Sequence, residues 1–275
     1  MNIVALILHT FRELVLKATI LILAGISTLI LIVTVAGLKT EQTAEGTAIS
    51  IFGNKSPVVS GDLALAFVRG SEAAAASGLF AGIILFGVLA TSGLIPDTLE
   101  KGTVDLYLSK PLTRGAILAG RACGAGLVMF LNIVYFLGGF WLILGIRVGV
   151  WDARFLAAPL VMTAAFLSLY SIVTFLAVLS RSTVIAVLGA FLFQVILVGV
   201  LQNREQILYP LSANAIYRGV LDGLFYIFPQ TSGLQDTLRS YVIDGSFSWS
   251  PFLASAASSC AWYTGAWWLF EKSDY

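Results

Sequence analysis

Apolar and polar positions fall into long blocks along this chain. Six runs contain no Asp, Glu, Lys or Arg: 18–38, 73–96, 122–146, 155–180, 182–203 and 245–270. About 20 apolar residues, rising 1.5 Å each, cross a hydrocarbon core of about 30 Å, and every one of these runs is that long. The next longest, 223–235 and 206–217, are too short and contain Pro229 and Pro210. The pattern predicts an all-α integral membrane protein with six transmembrane helices, at about 18–38, 73–96, 122–146, 155–180, 182–203 and 250–270, in one domain over 1–275. A β-barrel would alternate in polarity over segments of roughly ten residues, whereas these runs are apolar on all sides.

The blocks between the runs carry weaker patterns. On a helix, Asn2, His9, Arg12, Glu13 and Lys17 fall along one side, while Ile3, Leu6, Ile7, Phe11 and Leu14 face elsewhere. That predicts an N-terminal amphipathic helix at about 2–16, lying in the membrane interface; a ragged extension of the first span is the alternative. The charges interrupting the first apolar stretch argue against a cleavable signal peptide. The segment 39–72 reads as a polar loop. In the last long connection, 216–228 is apolar apart from Arg218 and Asp222 and ends at Pro229. Ser232 and Gln235 then form a capping-box pattern ahead of Leu234, Leu238, Tyr241 and Val242, which share a helical face. Re-entrant helices before the last span and a hairpin lying on the surface both fit. Trp141, Trp151, Trp249, Trp267 and Trp268 lie near span ends, as interfacial anchors do. Gly78/Gly82 and Gly120/Gly124 have the spacing that permits close helix contact.

Composition narrows the class. Of 275 residues, 58% are hydrophobic and 11% charged, against about 25% charged in soluble domains. That excludes an ordinary soluble enzyme and a disordered chain. A net charge of +1 from 16 basic and 15 acidic residues gives no field for nucleic acid. Two cysteines and one histidine leave no disulfide framework and no Cys/His metal cluster. An even number of spans puts both termini on one side. The compact basic cluster from Lys101 to Arg121 favours the cytoplasm for that side.

The loop after the second predicted span is the most informative segment. Pro96 is expected to end that span, Gly102 permits a sharp turn, and 104–108 offers a small apolar ridge before Pro111. Charges of both signs around such a ridge suit a docking helix that enters a protein groove. An ordinary solvated loop fits the same residues. The run Glu100-Lys101-Gly102-Thr103, then Leu108-Ser109-Lys110-Pro111-Leu112-Thr113-Arg114 and Gly120-Arg121, resembles the permease subunits of type-2 ABC exporters. The opening Leu8-His9-Thr10-Phe11-Arg12-Glu13 is similar to that family's N-terminal element, and the layout matches across the whole chain. Two positions depart: Thr98 stands where the family commonly has an acidic residue, with Asp97 one step earlier, and Arg121 replaces the usual lysine.

The resemblance implies a permease that pairs with a second copy or a paralogue in the cytoplasmic (inner) membrane. It would receive a separate ABC ATPase subunit that binds ATP and Mg, so this chain would not itself be an enzyme. The loop would act as a cytoplasmic coupling helix, with polar contacts from Glu100, Lys101, Lys110 and Arg114 and apolar ones from Leu106 and Leu108. Gly102, Thr103, Ser109 and Pro111 complete the motif, and the interfacial helix with Phe11, Arg12 and Glu13 would brace it. Gly53-Asn54-Lys55-Ser56 lacks the Gly-Lys adjacency of a phosphate loop. An intramembrane enzyme would need ionisable or nucleophilic groups in the spans. There the sequence offers only hydroxyls such as Ser168, Ser171, Ser258 and Ser259, while Cys123 and Cys260 read as small packing residues. A secondary transporter would need membrane-depth carboxylates or matched broken helices. A non-transporting structural or regulatory membrane subunit is the remaining alternative.

Overall fold

Charge-free sequence folds as helix here, and the helices outrun the charge-free runs. The computed structural model describes residues 3–16, 19–43, 46–55, 58, 60–100, 113–212 and 214–272. Helix α1 (Ile3–Leu16) leads to α2 (Thr19–Gly37), a three-stranded antiparallel sheet (β1 Leu38–Thr43, β2 Gly46–Ile51, β3 Asn54–Lys55), α3 (Asp62–Thr91) and a short α4 (Leu94–Leu99). Beyond the undescribed 101–112 come α5 (Arg114–Val148), a 3-10 turn (Ala153–Ala157), α6 (Ala158–Ser180), α7 (Thr183–Leu192), a π-helical turn (Phe193–Leu197) and α8 (Val198–Gln202). Short α9 (Arg204–Ile207), a 3-10 turn (Tyr209–Leu211), α10 (Ala215–Ile227), α11 (Thr231–Asp244) and α12 (Trp249–Lys272) finish the chain.

Five helical stretches are long and apolar enough to cross a bilayer: Ile20–Gly37, Asp62–Leu99, Arg114–Val148, Ala153–Ser180 and Thr183–Gln202. Each overlaps one of the first five predicted spans. The sixth, α12, has the length, 24 residues or about 36 Å. Its serines make it less apolar, and it does not join that set.

Three expectations need correction. The helix that carries the second predicted span starts at Asp62, well ahead of residue 73, and the one that carries the third at Arg114, ahead of 122. Glu72 and Arg121 are enclosed by packing and Arg69 is held by Asp152, so none of these charges stops its helix. Pro96 does not end the second span. The chain bends at Ser92-Gly93, and Pro96 sits in the first turn of α4, where its missing N–H has no helical acceptor to lose. Nor is 39–72 a plain loop. β1 pairs with β2 from Leu38↔Ile51 to Thr43↔Gly46, and Phe52 (φ 48) and Gly53 (φ 88) make the β2–β3 turn. Positive φ at both central residues matches the twist of the flanking strands. Phe52 lies so close over Gly37 that a β-carbon there would meet its ring at 2.5 Å.

The core is built on α6, whose apolar window is 72% buried against 33% or less for the other four spans. Phe166, Leu169, Tyr170 and Val173 are fully enclosed. Gly87 of α3 lets Met129 and Phe166 approach within side-chain contact. A second cluster joins Leu38 and Ile49 of the sheet to Ala64, Val68, Leu144 and Val148 at the far end of α3 and α5. In the last connection α11 packs into the bundle through Leu234, Leu238 and Val242. Its expected capping box does not form. Ser232 donates to Gln202 Oε1 at 2.9 Å and Gln235 to the Ser77 carbonyl at 2.8 Å, because tertiary acceptors take both side chains. By contrast α10 buries no residue and leaves Ile216, Val220 and Leu224 exposed.

Candidate functional site

The segment singled out by sequence is framed at both ends. On the entering side α4 is sunk into the bundle: Leu94, Ile95, Pro96, Thr98 and Leu99 are buried. Thr98 at the family's acidic position donates to the Leu94 carbonyl at 2.6 Å. Tyr170 of α6 reaches across to the Thr91 carbonyl at 3.2 Å. Glu100 then turns out, exposed, on extended backbone. Lys101, Gly102, Thr103, Leu106, Leu108, Ser109, Lys110 and Pro111 lie outside the described residues, as does the docking helix expected at 104–108.

On the leaving side Thr113 caps α5 by accepting from the Ala116 N–H at 3.2 Å. Arg114 reaches α12: its Nη1 donates to the carbonyls of Phe270 at 2.6 Å and Glu271 at 3.1 Å, and its guanidinium lies 5.5 Å from the Phe270 ring centroid. A cation on the last carbonyls of a helix satisfies acceptors the helix cannot and complements its dipole. Arg114 therefore ties the exit of the loop to the end of the chain.

A buried ion pair braces this frame from the N-terminus. Arg121 is 2% exposed, and its Nη1 donates to Glu13 Oε2 and, at 3.5 Å, to Thr10 Oγ1. The helices meet this closely because α5 carries glycine on the facing side. A β-carbon on Gly120 would stand 2.4 Å from Leu6, and one on Gly124 2.6 Å from Thr10. Of the two glycine pairs noted in the sequence, this one makes a contact; Gly78 and Gly82 face nothing within 4 Å. Leu6, Thr10 and Leu14 form the buried stripe of α1, Phe11 packs on the main core, and Arg12 is exposed. So α1 is docked on α5, and Glu13 does not stay on the polar side with His9 and Arg12. Sequence reading placed Glu13 in the bracing helix and Arg121 in the motif, yet missed their pairing, for which opposite charge was the only signal.

The residues raised for rival chemistries have other duties. Ser168, Ser171 and Ser259 donate to carbonyls of their own helices, and Ser258 to the Ile227 carbonyl at the end of α10. Cys123 and Cys260 are exposed, so they are not the packing residues expected; both look out from the chain's own core. Trp151, Trp249, Trp267 and Trp268 are exposed near helix ends. Trp141 instead turns inward and donates to the Asp152 carbonyl at 2.8 Å. No group of three or more His, Cys, Asp or Glu that could hold a metal ion occurs among the described residues.

Apolar helices of this length and number define a multi-pass membrane protein. A family model described as ABC-2 family transporter protein matches residues 4–275, and the chain belongs to that family. It is a membrane permease of an ABC transporter, and that family implies an ABC ATPase as partner. No curated protein matches the chain.

Proposed function

We propose that this permease is half of an exporter in the cytoplasmic membrane and that ATP hydrolysis reaches it through 100–114. ATP and Mg are held by the separate ATPase, and two permease chains form the pathway. The observation that carries this reading is the framing of that segment. Its entry is seated on α6 through α4, its exit is bound to α12 through Arg114, and α5 is braced by the Glu13–Arg121 pair. A push on the segment would thereby reach α3, α5 and α12 together. The termini and the segment lie on the ATPase side, the sheet and α10 on the other. With α12 as a sixth crossing, α11 packs near the far ends of the spans, where cargo would leave.

The test is purification of the permease with its ATPase after charge reversal at Glu100 (Glu100→Lys) and Lys110 (Lys110→Glu). Losing a charged contact at an interface costs about 2 kcal/mol or more. ATPase capture is therefore expected to weaken by about tenfold or more, with membrane insertion unchanged. Undiminished capture in both variants would remove 100–114 from the interface. Capture with ATP hydrolysis that never alters permease conformation would favour a structural subunit.

A further inference from the structure

One stripe of α3 is buried along its length, with Ala64, Val68, Glu72, Ala76, Phe80 and Ile84 recurring every fourth residue. It is apolar except at Glu72. That carboxyl is 0% exposed, and neither oxygen has a hydrogen-bond partner among the described residues. Val68, one turn towards the sheet, belongs to the far-end cluster, whereas Ala73 and Ala76 belong to the main core. Glu72 therefore occupies the seam between the two clusters.

Its neighbours do not neutralise it. Arg69, one turn away, is engaged elsewhere: its Nε donates to Asp152 Oδ2 at 2.7 Å. Asp152 is buried, its other oxygen accepts the Arg154 N–H at 3.1 Å, and its carbonyl accepts from Trp141. Asp152 and Arg69 are the charges that reach Glu72. On the other elements packed against α3, the described charges near this end are exposed, part-exposed or lacking. Asp236, Arg239 and Asp244 of α11 are exposed, as are Lys39 and Glu41 of the sheet. Arg147 of α5 is part-exposed, Arg154 lies against Gly245, and α2, α6 and α7 contain no charged residue.

An ionised carboxylate enclosed without a donor is far less stable than the neutral acid, and a second carboxylate nearby adds to the difference. We propose that Glu72 is a proton-binding site that locks the far end of the permease. As the neutral acid it lets α3 close against the sheet cluster and α11. Losing the proton places a second negative charge beside Asp152 and opens the seam.

Ionising the enclosed carboxyl works against the closed packing, so stability falls as the pH rises. The experiment uses the full chain in lipid nanodiscs, with infrared difference spectra between mildly acidic and alkaline pH and thermal melts at each pH. Wild type is expected to lose a protonated-carboxylic-acid carbonyl band on alkalisation and to melt several degrees lower. Glu72→Gln should show no such band and a melting temperature that does not fall. Asp152→Asn frees Arg69 to pair with Glu72, so the band should vanish at lower pH than in wild type. A wild-type spectrum without the band, or a Glu72→Gln chain that keeps both the band and the alkaline drop, overturns the proposal.

Discussion

Arg121 shows how a single residue's placement sets what its loss would cost. Its guanidinium is enclosed, and Glu13 supplies the counter-charge from a helix 108 positions earlier in the chain. Breaking a buried pair by removing one partner costs about 3–5 kcal/mol, whereas replacing both by apolar or neutral groups is often close to neutral. Glu13 keeps 19% exposure, so its removal belongs at the lower end. Glu13→Gln is expected to destabilise by about 3 kcal/mol, Arg121→Met by less, and the double variant by less than the sum. Denaturation of the detergent-purified chain measures all three. Additive losses would mean that the two side chains do not act as a pair.

Helix α10 buries none of its residues, and side-chain bonds hold it in place. Asp222 accepts from the Tyr209 hydroxyl at 2.6 Å and from Arg204 Nε at 2.8 Å, while Arg204 lies 3.8 Å over the Phe225 ring. These bonds, the Tyr209 hydroxyl foremost, hold the Asp222 carboxyl below the usual carboxylate range. A carboxyl depressed in the folded state stabilises it above the ordinary value of about 3.9 and loses that effect as the pH falls through the folded value. Hydrogen exchange across 204–227 should therefore be faster in Asp222→Asn than in wild type at neutral pH. Wild type should approach the variant as the medium is acidified, after correction for intrinsic rates. Equal protection at neutral pH would show that α10 is held by something other than this cluster.

The elements also mark where the sequence could be read. Long helices were legible because their length is set by the bilayer. The sheet was not, since Lys39, Thr40, Glu41 and Gln42 carry ordinary loop polarity; their strand exists because Leu38 and Ile49 find a cluster on α3 and α5. The capping box of α11 was a sound local pattern that lost to Gln202 and the Ser77 carbonyl as tertiary partners.

For the whole molecule, α12 decides the topology. If it crosses, the chain has six spans and its two ends share a side. The packing favours this: Arg114 at the start of α5 holds the last turn of α12, and Tyr263 of α12 donates to Leu167 of α6 at 3.1 Å. Impermeant labelling of single cysteines placed near each terminus, in intact cells and after lysis, should find both protected until lysis. Opposite accessibility would put α12 on one surface of the membrane and leave five crossings.

The class of this protein is legible in its charge-free length alone. A hydrocarbon core admits only long apolar helices or closed barrels, so charge-free length reports membrane spans without reference to anything distant, and the mixed-charge motif after the second span stands out against it. Which charges are enclosed, and with what, depends on how distant helices pack. The Glu13–Arg121 and Arg69–Asp152 pairs, and the carboxyl of Glu72 left between two clusters, join residues far apart in the chain. Nothing local encodes such meetings, because a buried charge is defined by the surfaces that close around it.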